Sequence, residues 1–134
     1  MGGRGSKSGS NGGGRLSLPE ISGTEKQVAW AKDILTNPHE TMLANAKLNE
    51  KRRAEAIKKS GKAKSGNGYK QEADAYAAAG KRYKAEIAKL PKSMKASQII
   101  DGRDFITNVA ETIINDEFKK RKIASSFRFP RGKN

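Results

Sequence analysis

Residues 69–90, YKQEADAYAAAGKRYKAEIAKL, decide the fold class of this chain. Apolar or small side chains recur there at alternating spacings of four and three residues, at Tyr69, Ala73, Tyr76, Gly80, Tyr83, Ile87 and Leu90. This spacing keeps them on one stripe of an α-helix, and Pro91 ends the helix. The pattern predicts a helix whose tyrosine stripe is buried against either another part of the chain or a second subunit.

The best apolar segment outside this helix spans residues 25–35, where a broad apolar stripe includes Trp30. Two pairs have the spacing of a capping box, Ser22 with Glu25 and Thr24 with Gln27. The stripe predicts that the only tryptophan of the chain lies in the core. The preceding residues 16–21 alternate between apolar and polar, which predicts an extended lead-in or a short edge strand.

Pro38 is predicted to separate two helices, because the residue before a proline avoids the helical conformation and proline itself favours a first helical turn. A second, weakly amphipathic helix is expected from Pro38 to about Ser60, with its distal half projecting into solvent from Lys47 onward. His39, the one histidine, is then a surface residue in the first turn. The glycines of residues 60–68 predict a flexible loop.

The remaining helical pattern runs from about Lys95 to Lys122 and breaks at Asp101-Gly102. Together these patterns predict an all-α fold, a small helical domain of four or five helices over residues 16–124. The helices that contain Trp30, Tyr76 with Tyr83, and Phe105 to Phe118 are expected to form its core. Residues 1–15 are predicted to be a disordered Gly/Ser-rich basic arm, and residues 125–134 a basic flexible tail.

The charge of the chain limits the choice of partner. The 28 Lys and Arg residues against 14 Asp and Glu give a net charge of +14, which attracts polyanions. Nucleic acid, DNA or RNA, is the commonest such partner, and an anionic membrane or an acidic protein groove are alternatives. No apolar run approaches the roughly 18 residues of a membrane span and no signal peptide is recognisable, so we expect a protein of the cytosol.

Two basic clusters are the candidate nucleic-acid-binding residues. Residues 47–70 carry nine basic and two acidic side chains, and a second cluster follows Glu117. The candidates are Lys47, Lys51, Arg52, Arg53, Lys58, Lys59, Lys62, Lys64, Lys119, Lys120, Arg121, Lys122, Arg128 and Arg131. Such residues could track a phosphate backbone, or they could simply form a solvated helix face. Phe127 and Phe129 could stack on unpaired bases or fold back onto the core.

A third basic cluster, Lys81-Arg82-Lys84, interleaves with the tyrosine stripe. Catalytic groups are scarce by comparison. The chain has no cysteine, no glycine-rich phosphate loop and a single histidine, so it lacks the constellation that an enzyme, a metal site or a cofactor site requires. The neighbouring carboxylates Asp101 with Asp104, and Asp116 with Glu117, are expected to be solvated or ion-paired.

Two short segments resemble a known group of proteins. Residues 22–34, SGTEKQVAWAKDI, are similar to the pattern G-[S/T]-E-K-Q-x-x-W-A-x-x-I of small bacteriophage and mobile-element proteins. Residues 96–103, ASQIIDGR, are similar to the A-S-x-W-I-D-x-R run that often accompanies it, with Ile99 in place of an aromatic residue. The resemblance implies a phage or mobile-element origin, and proteins of this kind are often inhibitors of host defence or accessory DNA-binding factors.

Two functions are therefore expected as alternatives. The first is a nucleic-acid-binding accessory protein that contacts the phosphate backbone and does not recognise the base sequence. The second is an inhibitor of a host defence ribonucleoprotein, similar to an anti-CRISPR, which would bind a protein–RNA target in the bacterial cytosol.

Overall fold

A computed structural model describes residues 16–130. The elements in chain order are β1 (Glu20–Ser22), α1 (Glu25–Ser60), a 3-10 helix (Ala63–Gly66), α2 (Asn67–Ala88), β2 (Ser93–Lys95), α3 (Ala96–Asp101) and α4 (Arg103–Lys120). The predicted all-α class is confirmed, with four α-helices and one small two-stranded sheet in the described range. The expected N-terminal arm, residues 1–15, lies outside the described residues.

Helices α1 and α2 form a long antiparallel hairpin. Near its closed end Gly66 lies against Ile57, and further along, the Tyr83 hydroxyl donates a hydrogen bond of 2.6 Å to the Leu35 carbonyl. Tyr76 and Tyr83 are buried, as the stripe predicts, and their neighbours belong to the same chain. Tyr69 is 37% exposed and stands outside the core.

Helix α1 runs through Pro38 without interruption, so the predicted corner at residues 36–38 is wrong. Proline inside a helix removes one backbone hydrogen bond and costs roughly 3 kcal/mol. Pro38 is itself buried, and Leu35 before it and Met42 after it belong to one core. Burial on both sides of the proline therefore outweighs its local preference, because most helix stability in proteins comes from tertiary packing.

His39 is buried, and the prediction of a surface histidine is wrong. In the continuous helix this position faces α2, and the imidazole ring stacks at 6.4 Å from the ring of Tyr83. Its Nε2 atom has no hydrogen-bond partner among the described residues. Burial, with a smaller contribution from the charge of Lys84, lowers the pKa of His39.

The C-terminal half packs onto this hairpin. Helices α3 and α4 are separated at Gly102, as predicted. Helix α4 runs antiparallel to α2, with the rings of Tyr76 and Phe118 5.1 Å apart and Arg82 bonded to Asp116. Strand β1 lies at the end of the segment for which an extended lead-in or a short edge strand was predicted, and it pairs in parallel with β2, which was not predicted.

The core is thin and rich in alanine, which lets the helices approach closely. Its buried members are Ala31, Leu35, Met42, Ala46, Ala75, Tyr76, Ala79, Tyr83, Ile87, Ala96, Ile99, Ile100, Ala110, Ile113, Ile114 and Phe118. Two predicted core residues are not among them. Trp30 is 49% exposed and Phe105 is 72% exposed, because Ala31 and Leu35 on α1 and Ala110 on α4 occupy the faces that meet the other helices.

Residues 125–130, the described part of the predicted basic tail, run back along α4. The Asn115 side chain accepts a hydrogen bond from the backbone N–H of Phe127 at 2.8 Å and donates one to its carbonyl at 3.2 Å. The backbone N–H of Phe129 donates to Glu111 at 2.7 Å. These bonds hold the segment against the helix.

Replacing Tyr83 by phenylalanine is expected to lower the free energy of unfolding by about 1 kcal/mol, because a buried hydrogen bond to Leu35 is lost without a change of shape. Tyr69→Phe is the matched control, since Tyr69 is partly exposed, and should change stability by less than about 0.5 kcal/mol. Chemical denaturation measures both. Equal stability of Tyr83→Phe and the parent would mean that the hydrogen bond from Tyr83 to the Leu35 carbonyl does not stabilise the fold.

Stability is expected to fall as the pH drops through about 6.5, the ordinary histidine pKa. The lowered pKa of His39 in the fold means that the unfolded chain binds the proton more readily, so protonation favours unfolding. His39→Leu should be more stable and should flatten the dependence between about pH 7.5 and 5.5. Denaturation curves at several pH values test this prediction. If the free energy of unfolding depends on pH as steeply in His39→Leu as in the parent protein, His39 is not the group responsible.

Candidate nucleic-acid interface

The basic segment 47–70 lies at the closed end of the α1–α2 hairpin. The buried hydrophobic residues include none between Ala46 and Ala73, and α4 ends close to Tyr76. The hairpin therefore extends beyond the core as two helices, and residues 47–72 are called the hairpin tip below. The expectation that α1 projects from Lys47 onward is met in this sense, although α2 packs along it.

A compact turn closes the hairpin tip where a flexible loop was predicted. Gly61 ends α1 in the left-handed conformation, with φ of 72°, and the Ser60 hydroxyl accepts a hydrogen bond from the backbone of Lys62 at 3.0 Å. The 3-10 helix then brings Gly66 against α1, where a Cβ atom would lie 2.5 Å from Arg53 Cγ. Glycine is required there because the two backbones approach so closely.

Seven of the eight candidate residues on the hairpin tip are exposed to solvent: Lys47, Lys51, Arg52, Lys58, Lys59, Lys62 and Lys64. No ion pair within residues 16–130 involves any of them. At roughly 100° per residue, Lys47, Lys51 and Lys58 lie opposite Asn49 and Arg53, which pack toward the returning chain. Arg52 and Lys59 lie on the flank between these two sides. The tip thus presents a strongly basic surface, which Glu50 and Glu55 offset only in part.

Arg53, the eighth candidate, has a structural position. It is half-buried beneath Gly66, and its Nε atom is buried with no hydrogen-bond partner in the described part of the chain. It therefore does not belong to the exposed basic face. Sequence reasoning grouped it with Arg52 because adjacent residues cannot be separated before the helix neighbour is known.

The second basic cluster lies at the end of α4 and is partly neutralised. Arg121 pairs with Glu117 at 2.7 Å, and Lys120 contacts the same carboxylate at 3.4 Å. Burial raises the pKa of Glu117, but hydrogen bonds from Arg82 and Arg121 outweigh this and hold its pKa below the usual range. Lys119 and Lys122 are exposed and enter no ion pair in the described residues.

Arg128 is exposed, and Arg131 lies outside the described residues. In the third basic cluster, Arg82 is tied to Asp116 and Glu117, each at 2.7 Å. The hydrogen bond from Arg82 lowers the pKa of Asp116. This carboxylate pair therefore forms ion pairs that join α2 to α4.

The two C-terminal phenylalanines pack on the protein. The rings of Phe127 and Phe129 lie 4.9 Å apart, and Phe127 also contacts Tyr76 at 6.1 Å. Both are half-buried against the core. Of the two alternatives left open by the sequence, the fold places both rings on the core.

One aromatic–cation pair was missed by sequence reasoning. The Arg103 guanidinium lies 5.5 Å above the centre of the Trp30 ring, and both side chains line a groove between α1 and α4. Residues 22–34 and 96–103, quoted above for their resemblance, are neighbours in the fold, since Ser22 pairs with Lys95. That shared resemblance was the only sequence signal that linked Trp30 to Arg103.

Other kinds of site are not evident in the described residues. They contain no group of three or more potential metal-binding side chains, and no helix among them combines the length and apolar content of a membrane span. Comparison of the chain with protein-family models, characterised proteins and solved structures finds no match.

Replacing Gly66 by alanine is expected to destabilise the hairpin tip by about 1–3 kcal/mol, because the new methyl group would collide with Arg53. Gly68→Ala is the matched control, since no atom lies within 4 Å of its Cβ position. It should be neutral or slightly stabilising, by up to about 1 kcal/mol. Thermal unfolding compares the two variants, and equal stability would contradict the tight packing at Gly66.

Proposed function

We propose that this protein is a small nucleic-acid-binding accessory protein that contacts phosphate backbone through the hairpin tip. The observation that carries the proposal is the set of seven exposed and unpaired Lys and Arg side chains on one projecting element. Its role is binding and not catalysis, and recognition is largely independent of sequence, because phosphate contacts carry no base information.

The local charge supports this role. The 47–70 segment has a charge of +7 in a chain of +14, and the neighbouring Lys119 and Lys122 add positive charge near the base of the tip. Like charges held this close repel one another, and a polyanion relieves the repulsion when it binds. Release of counterions from the nucleic acid supplies the accompanying free energy.

The setting we propose is the cytosol of a bacterial host of a phage or mobile element, on the resemblance of residues 22–34 and 96–103. A second candidate function is the inhibition of a host defence ribonucleoprotein. Phe105 favours it, because this exposed ring lines a shallow groove together with Val109 and Ile113, and contiguous exposed apolar surface is typical of a protein-binding site. In that case naked nucleic acid would be a poor substitute for the protein–RNA target.

Replacing four tip residues by glutamine, Lys51, Arg52, Lys58 and Lys59, is expected to weaken nucleic-acid binding at least tenfold. The steepness of log affinity against log salt should decrease by up to about 3.6, because each lost phosphate contact removes about 0.7–0.9 from it. Helicity should be unchanged, since the four side chains are exposed. Fluorescence anisotropy with labelled DNA and RNA, from low to physiological salt, measures both quantities.

A control variant removes the same charge elsewhere, by glutamine at the exposed residues Lys32, Lys81, Lys92 and Lys95. It should retain most of the affinity. Equal losses in both variants would mean that only net charge matters and would refute the tip as the binding site. Absence of binding at physiological salt in the parent protein would refute the proposal and favour a ribonucleoprotein target.

A further inference from the structure

A groove between α1 and α4 has a volume of about 1150 Å³. One wall is α1, with Trp30, Ile34 and Thr41, and the other includes Arg103 of α4 and Phe129 of the C-terminal segment. Half of the Trp30 surface faces solvent here. Trp30 belongs neither to the buried core nor to the partly buried hydrophobic residues packed against it.

Arg103 is oriented for an external contact. Its Nη1 atom donates a hydrogen bond of 2.8 Å to the Ile100 carbonyl, and its guanidinium lies over the Trp30 ring. These two contacts restrict the guanidinium, and because the side chain is exposed its other N–H donors are accessible to a ligand. An aromatic ring beside an oriented guanidinium can bind a base by stacking and a phosphate by charge.

The groove continues toward the hairpin tip along one face of α1. Its lining residues on α1 extend from Trp30 to Ala44, and Leu48, which is 42% exposed, follows on the same face. Leu48 lies 18 residues after Trp30, which is about five turns or 27 Å. At roughly 100° per residue, Arg52 and Lys59 fall within about 40° of the same direction. One ligand can therefore contact both the groove and the tip.

The charges in the groove restrict what that ligand can be. Glu40 and Asp104 also line it and disfavour phosphate at their own positions. A double helix presents two rows of phosphate and keeps its bases stacked inside, so it matches this surface poorly. A single strand can place unpaired bases over the groove floor and its phosphates toward Arg103 and the tip.

We propose that this groove binds an unpaired stretch of nucleic acid, with a base stacked on Trp30 and a phosphate held by Arg103, so that the protein prefers single strands to duplexes. The inference rests on the proposed nucleic-acid binding by the hairpin tip and adds the form of nucleic acid that is bound. The tip attracts any nucleic acid through its charge, and the groove discriminates single strands from duplexes.

The fluorescence of Trp30 provides a direct test, because it is the only tryptophan in the chain. A single-stranded oligonucleotide of about 16 nucleotides, at the upper end of common single-strand site sizes, should quench this fluorescence at physiological salt. A duplex of the same length should bind more weakly and leave the fluorescence unchanged. DNA and RNA oligonucleotides are tested separately.

Two variants test the residues themselves by anisotropy. Trp30→Leu should weaken single-strand binding about 5- to 100-fold, the range expected for one lost stacking contact, with little effect on duplex binding. Arg103→Gln should also weaken single-strand binding. This second variant keeps the proposal testable if Trp30→Leu alters the fold. Phe105→Leu is the matched control, since this exposed aromatic residue lies outside the groove, and should leave single-strand affinity unchanged.

The outcomes separate the two proposals. Equal affinity for single strands and duplexes, with unchanged Trp30 fluorescence, would overturn the proposal that the groove binds unpaired nucleic acid. The hairpin tip would then remain the proposed binding site. Equal weakening of duplex and single-strand binding by Arg103→Gln would also overturn it, because the residue would then act only through charge. Absence of binding to any oligonucleotide would overturn both proposals.

Discussion

The continuity of α1 across Pro38 is the constraint on which the rest of the structure depends. A break there would separate the first core turns of α1 from the portion that pairs with the start of α2. The hydrogen bond from Tyr83 to the Leu35 carbonyl joins α2 to α1 within one turn of the proline. Helix–helix packing on both sides of Pro38 stabilises a long helix that local preference alone would interrupt.

The same continuity determines where the charge of the molecule is placed. Near the core, basic residues are matched by carboxylates, as in the contacts of Arg82 with Asp116 and Glu117. Beyond the core the hairpin has little apolar surface to bury, and most of its basic side chains enter no ion pair in the described residues, Lys70 with Asp74 being the exception. An unbalanced charge is tolerated there because water solvates it, whereas near the core it would have to be compensated.

The groove and the hairpin tip differ in physical character although they share one face of α1. The tip offers long-range attraction that weakens as salt increases, and the groove offers short-range contact with an aromatic ring and an oriented guanidinium. The exposed Trp30 ring adds little to the core, which consists mainly of small and medium-sized side chains at this end of α1. Its place in the open groove is the basis of the proposed contact with unpaired nucleic acid.

The sequence by itself determined the helical class, the α2 stripe, the break at Gly102 and the basic character of residues 47–70, because each depends on local spacing or composition. The tertiary structure alone decided that α1 passes through Pro38, that His39 is buried and that Trp30 faces a groove with Arg103. These features depend on which face of α1 meets its neighbours. That face mixes the apolar Ala31, Leu35 and Met42 with Pro38, His39 and Asn49, so its apolar periodicity is weak and the packed partner had to be known first.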